Sequence, residues 1–303
     1  MGENTLIQWA HHTFNPWVGC QRVSPGCTNC YAEALDKRFG GALIDGQKVL
    51  RWGPKAPRVK TSKSNWKQPL RWNKAAEAAG ERHRVFCASL ADVFEERFEL
   101  ESYRLELFEL IRATPHLDWL LLTKRPENVR KTISAAIDLT VTTPWDTRAV
   151  GQWLQDWSDG IAPANVWLGT TVEDQQRADD RIHALLKTPA KVRFLSCEPL
   201  LERVDLGLAG RLPRTEHPRI DWVIIGGESG PGARPFAIDW ARDLVRQCRA
   251  SGASPFVKQL GAKACRGQAE YDREGSLLLR TNDPAGGDMA EWPEDLRVRE
   301  LPR

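Results

Sequence analysis

The chain lacks the marks of export and of membrane insertion. Its opening, MGENTLIQWAHH, has neither a basic n-region nor an apolar h-region, so it does not read as a secretory signal. No apolar run approaches the ~20 residues that span a bilayer. An even, dispersed set of cysteines is missing too: there are seven, and three of them crowd between positions 20 and 30. That is not the pattern of a disulfide framework in a secreted domain. These absences predict a soluble protein in a reducing cytoplasm, with no membrane partner. A large excess of one charge is absent as well; a net charge of +3 at pH 7 identifies no partner by itself.

What is present is an ordinary globular composition, 41% hydrophobic and 27% charged over 303 residues, enough for one large domain or two small ones. Short apolar runs recur at Val85–Leu90, Leu117–Thr123, Val166–Thr171, Val192–Cys197, Trp222–Gly226 and Pro255–Gln259, with a further strand expected at Thr5–Trp9. Stretches whose apolar residues recur every three or four positions separate several of them: Leu100–Ala113, Asp174–Leu186 and Ile238–Ala250. Tyr31–Phe39 reads as a shorter helix stopped by Gly40-Gly41. Strand–helix alternation with near-continuous apolar strands predicts an α/β fold built on a parallel sheet. The expected form is a partial (β/α) barrel of about six βα units; an open doubly wound sheet is the alternative. One connection, Ile133–Pro163, is enlarged.

Two segments depart from the repeat. Lys48–Lys74 holds nine Lys or Arg, no Asp or Glu, Pro54, Pro57 and Pro69, and Trp52, Trp66 and Trp72. It reads as an extended basic insertion whose cations follow a phosphate backbone while its indoles stack on bases, or else as a loop whose tryptophans pack inward. Residues 262–303 are polar and read as a C-terminal appendage to a barrel spanning 1–261.

The strands turn polar where they end: Ser89 and Asp92, Thr123-Lys124-Arg125, Glu173, Ser196 and Glu198, Glu228, and Lys258-Gln259. In a parallel barrel these ends share one rim, where active sites lie. Lys124, Glu198 and Lys258 are therefore the catalytic candidates, and Glu173 a candidate for cofactor contact or proton transfer. Ile224–Pro235 (IIGGESGPGARP) offers Gly226, Gly227 and Glu228 as ligand contacts through close backbone approach. It matches neither the dinucleotide fingerprint nor the phosphate loop, and a tight turn accounts for the glycines equally well.

The densest chemistry lies in HHTFNPWVGCQRVSPGCTNCY, residues 11–31, where Cys20, Cys27 and Cys30 form C-x6-C-x2-C among Pro16, Gly19, Pro25 and Gly26. Thiolates this close on a looped segment can converge on a metal centre. Zinc with His11 or His12 as fourth ligand is one reading, and a [4Fe–4S] cluster with three thiolates and one open iron is another. The residues favour the cluster, because no second C-x2-C pair appears and a large α/β domain has no need of a zinc staple.

The run W-x3-T-F-N-P-W-x-G-C-x2-V-S-x-G-C-x2-C-Y-A-E, from Trp9 to Glu33, resembles the opening of a phage- and bacteria-encoded three-cysteine family regarded as radical-SAM-like. LLTKRPENV (121–129), NVWLGTTVED (165–174), RFLSCEPLL (193–201), DWVIIGGESGPGARP (221–235), FVKQLG (256–261) and EWPEDLRVRE (291–300) extend the resemblance over most of the chain. It implies a radical-SAM type barrel, a [4Fe–4S] cluster on Cys20, Cys27 and Cys30, and S-adenosyl-L-methionine (SAM) on the free iron. It implies generation of a 5′-deoxyadenosyl radical, with an electron donor to reduce the cluster. The family's phage association points to DNA or a nucleotide as substrate, for instance a hypermodified pyrimidine, and to the host cytoplasm. A zinc- or cluster-stabilised nucleic-acid-binding protein without catalysis is the alternative. The first cysteine gap is x6 where most radical-SAM enzymes have x3, and Asn29 stands where they carry an aromatic. Ser89–Asp92, after the second strand, corresponds to the superfamily's SAM-contacting position; that role is not carried over to Glu228.

Overall fold

The computed structural model describes residues 5, 7–208, 218–230, 232–266, 279 and 281–302. Its main sheet has seven strands: β1 (His12–Thr13), β2 (His83–Cys87), β3 (Leu117–Thr123), β4 (Val166–Thr171), β5 (Val192–Cys197), β6 (Trp222–Gly226) and β7 (Ser254–Gln259). Their order in the sheet follows their order in the chain, with β1 and β7 at its two ends. The pairs β1–β2, β2–β3, β5–β6 and β6–β7 are parallel. A doubly wound sheet reverses its strand order at a switch point; this one never does. The expected parallel partial-barrel class therefore holds and the doubly wound alternative falls. The strands are Val-, Ile- and Leu-rich because both faces are covered: every residue of β4 and of β6 is buried. Each fully buried Val or Ile contributes roughly 1.5–3 kcal/mol.

The chain divides into two compact units. One comprises residues up to Val23 with Cys30–Gly169 and Thr188–Lys191; the other comprises Ser24–Asn29, Thr170–Lys187 and Val192 onward. In the first unit, α1 (Tyr31–Phe39) ends at Gly40 in the left-handed conformation, φ 73°, as the Gly-Gly pair predicts. The basic stretch departs from expectation. It contains a short helix, Lys63–Trp66, capped by the Ser62 hydroxyl, and then α2 (Gln68–Ala79). Pro69 lies in the first turn of α2, where a missing N–H costs nothing. Trp72 is buried and stacks on His12, with ring centroids 4.3 Å apart, and Trp66 meets Phe14 edge-on. Inward packing therefore accounts for both indoles.

The enlarged connection holds two helices, α4 (Val129–Thr142) and α5 (Arg148–Ser158), after α3 (Glu101–Arg112). Phe108, Trp153 and Trp157 interlock there at centroid distances of 5.5–6.3 Å. The first strand is His12–Thr13 rather than Thr5–Trp9, and Leu6 of that expectation lies outside the described residues.

In the second unit, α6 (Gln175–Leu186) starts at Asp174, whose carboxylate accepts from the Arg177 amide at 2.9 Å. α7 (Ile238–Ser251) precedes β7. Val298 and Pro255 take part in backbone bonds that lay the chain's end against β7 (Val257 N to Val298 O, 2.8 Å; Glu300 N to Pro255 O, 3.0 Å). The Arg299 guanidinium there sits over the rings of Phe256 and Trp292. Of the expected appendage, residues 267–278, 280 and 303 lie outside the described residues. No helix among the described residues is long and apolar enough to cross a membrane.

Candidate functional site

The three-cysteine loop is anchored by strand ends in each unit. In the first unit the Gly19 amide donates to Leu90 O at 3.0 Å, and Cys20 O accepts from Gly53 N at 2.9 Å. Gly19 has φ 124°, and a Cβ there would lie 2.6 Å from Arg51 O, so no other residue fits. Arg125, just past β3, donates to Gln21 O at 2.9 Å and lies 3.9 Å from Cys20 Sγ. Its other partner is Asp92 Oδ2 at 2.8 Å. Asp92 accepts as well from the Thr123 hydroxyl and from the amides of Phe94 and Lys124. Both charges are buried, and each is satisfied by the other and by further hydrogen bonds. Burial pushes the Cys20 thiol up to about 12, with the Asp92 carboxylate adding to the rise and the Arg125 cation opposing it.

Cys30 occupies the N-cap position of α1, and the residue after it, Tyr31, donates from its hydroxyl to Ser89 O at 2.8 Å. The Ser89 hydroxyl accepts from Asn15 Nδ2 at 3.0 Å, while Asn15 Oδ1 takes the Leu90 amide at 2.7 Å.

In the second unit the stretch Ser24–Asn29 is held in the same manner. Pro25–Cys27 is a single 3-10 turn, closed by the Cys27 amide on Ser24 O at 2.9 Å. The Gly26 amide donates to Glu173 Oε1 at 3.3 Å, and a Cβ at Gly26 would stand 2.9 Å from that oxygen. Glu173, fully buried, takes Arg181 on its other oxygen at 2.8 Å. Glu228 binds Arg234 through two guanidinium bonds of 3.0 and 2.6 Å and accepts from Asn29 Nδ2 at 2.9 Å. Arg234 in turn donates to Pro25 O at 3.0 Å. Burial raises the Glu228 carboxyl, but the bonds from Arg234 and Asn29 outweigh it and hold the group below the usual carboxylate range.

The remaining candidates fall as follows. Glu198 and Lys258 form an ion pair at 2.5 Å, both partly exposed. Lys124 contributes its amide to Asp92. Gly226 and Gly227 answer packing demands: a Cβ on Gly227 would be 2.4 Å from Leu260 O, and its amide already donates to Gln259 O at 3.2 Å. Pro231 of that segment lies outside the described residues. The sequence reading missed Asn15, Asn29, Arg181 and Arg234 and passed over Arg125 for its neighbour Lys124. Asn15 and Asn29 lie in the cysteine stretch and Arg234 in the glycine-rich segment, whereas Arg181, on α6, carried no signal in the sequence.

His11 and His12, the candidates for a fourth zinc ligand, are engaged elsewhere in the first unit. His11 Nδ1 accepts from the Arg84 amide at 2.8 Å, and His12 Nε2 lies 3.1 Å from His83 Nδ1.

Residues 4–284 match the model of a family described as a protein of unknown function, DUF5131. The chain belongs to the DUF5131 family. No curated protein matches it in sequence. Among solved structures it is similar to spore photoproduct lyase complexed with dinucleoside spore photoproduct, at TM-score 0.41 and 13% identity. The match covers 82% of this chain and 63% of that one, so the DUF5131 chain spans less than two thirds of that protein's length.

No disulfide joins any of the seven cysteines of this DUF5131 member. Among the described residues no group of three His, Cys, Asp or Glu side chains is gathered tightly enough to hold a metal ion. The donor set nevertheless suits an iron–sulfur cluster: three soft thiols outside any disulfide, on one loop held through its backbone at Gln21, Pro25 and Gly26 and through the Asn29 side chain.

Proposed function

We propose that this DUF5131 protein is a radical SAM enzyme in which Cys20, Cys27 and Cys30 hold a [4Fe–4S] cluster and SAM takes the remaining iron. The observation that supports it is the anchored three-thiol loop at the strand ends of a singly wound parallel sheet. When bound, the cluster and SAM supply one-electron chemistry capable of activating an otherwise inert carbon.

The chain's own residues supply position. Asp92 with Arg125 fixes the loop at Gln21 and sets a cation beside Cys20. Glu173 with Arg181 fixes Gly26, and Glu228 with Arg234 fixes Pro25 and Asn29. Asp92, Glu173 and Glu228 are thus positioning residues, since their carboxylates are committed to arginines. Ser89, Gly226 and Gly227 remain the proposed cofactor contacts. Glu198 and Lys258 form the one pair among the catalytic candidates that can hold a proton close to solvent, and Lys124 is proposed to orient substrate.

The substrate we assign is a nucleobase or nucleotide, in DNA or free. Lys55, Lys63, Lys67, Arg71 and Lys74 support a polyanion: all are exposed, none is in an ion pair among the described residues, and no acid interrupts them. Anaerobically purified protein should be brown and should cleave SAM once reduced, and Cys27→Ala should remove colour and cleavage together. A colourless protein with stoichiometric zinc ends the enzyme reading in favour of a zinc-stabilised binding protein. Failure to bind DNA or nucleotides even at low salt removes the substrate assignment alone.

A further inference from the structure

Resting on the cluster-holding reading above, we propose that the exposed apolar face of α1 and the hairpin after it is the docking surface for a small acidic one-electron carrier protein. Tyr31, Leu35 and Phe39 recur every fourth residue of α1, so they line one side of the helix. They are 57%, 39% and 71% exposed. The hairpin pairs Ala42–Ile44 with Gln47–Val49 and sets Leu43 opposite Lys48. Leu50, two residues beyond Lys48, falls on the same side.

Asp36 welds helix to hairpin: its carboxylate takes the Arg51 amide at 2.7 Å and Arg51 Nε at 2.6 Å, while its carbonyl takes Gly41 N at 2.8 Å. A Cβ on Gly41 would be 2.0 Å from Val49 O, so this approach requires glycine. Of the twelve large apolar side chains exposed among the described residues, five are these. Scattered exposure is normal on a monomer; this concentration marks an interface.

Cations outnumber acids along the border of the face, where Asp45 in the hairpin turn is an exposed acid. Lys48 is in no ion pair among the described residues, Arg38 stands over the Phe39 ring, and Lys37 pairs with Glu33 at 2.8 Å. An apolar centre with a positive border suits an acidic partner. Leu35, Leu43 and Leu50 point to a protein surface rather than a nucleic acid, which would call for cations and aromatic rings alone. The face begins at Tyr31, the residue after Cys30, whose ring is fixed by its bond to Ser89 O. Electron transfer weakens steeply with distance, so a donor must come close to the thiol loop. Encounters of this kind bury less than ~1,200 Å², within reach of one helix and a hairpin. In the transfer the carrier loses one electron and the thiol-held centre gains it; no atom moves.

The test is titration of the anaerobically reconstituted full chain with a flavodoxin, an acidic flavoprotein, at low and high salt. Wild type should bind, more weakly as salt rises, and Phe39→Asp and Leu43→Asp should each weaken binding by roughly tenfold or more. Both variants should keep the wild-type melting temperature and the wild-type response to dithionite, which needs no docking face. Iron content is read on the same samples. Iron-loaded wild type that ignores flavodoxin, or variants that bind it unchanged, overturn the surface alone. Iron-free protein overturns the centre and the surface with it. Loss of self-association or of single-stranded DNA binding in the variants, with flavodoxin binding intact, also overturns the proposal.

Discussion

Two arginine–carboxylate pairs hold the two halves of the cysteine loop, and they differ mainly in exposure. Arg125 with Asp92 holds Gln21 and flanks Cys20; both side chains are 7% exposed. Arg234 with Glu228 holds Pro25 and Asn29, and its arginine is 29% exposed. The device is the same, a carboxylate at a strand's end that aims a guanidinium at a loop carbonyl. The first pair has no water to fall back on if one partner is lost, whereas the second has some. Stability and loop placement are therefore coupled tightly at Cys20 and more loosely at Cys27.

Breaking the buried pair should have the largest effect. Arg125→Ala leaves Asp92 charged and unpaired, and should cost about 3–5 kcal/mol in chemical denaturation. Arg234→Ala should cost less, about 1–3 kcal/mol, because its site admits solvent. It should lower iron retention more than it lowers the melting temperature. Equal losses in the two variants would erase the distinction. Gly26→Ala sharpens it from the loop's side. The added methyl presses on Glu173, itself locked by Arg181, so destabilisation of about 1–3 kcal/mol is expected, again with reduced iron retention.

A pH-dependent effect arises at the other end of the strands. Burial, with the charges of His83 and His11, lowers His12 from 6.5 to about 4. The folded state thus binds fewer protons than the unfolded one between those values, and stability rises with pH across that window. It is fully present above the unfolded pKa and is lost as pH falls toward the folded one. Urea midpoints should show His12 contributing up to about 3 kcal/mol of acid sensitivity between pH 7 and pH 4. His12→Phe, which keeps the stack on Trp72, should flatten that dependence; an unchanged slope would place the sensitivity elsewhere.

The body of the fold was legible because periodicity reports it. β3, β4, β5 and β6 fall on the residues their apolar runs mark, and α1 on YAEALDKRF. The basic stretch was misread because composition does not report position: Pro69 breaks a helix interior but begins α2 without cost. The three thiols were visible from spacing. Their supports were not, since Arg125 and Arg234 reach the loop over 104 and 209 residues of chain, and no local pattern encodes such contacts. The carboxylates were noticed as rim chemistry, but their roles were set by arginines that no motif announced.

The central claim is that Cys20, Cys27 and Cys30 together hold a cluster with one iron left for SAM. Mössbauer spectroscopy of protein reconstituted with enriched iron, before and after SAM is added, tests it most directly. The account predicts a [4Fe–4S] spectrum in which a single iron changes its parameters on SAM addition, and no such spectrum in Cys27→Ala. A spectrum unmoved by SAM, or a cluster that survives Cys27→Ala intact, would contradict it.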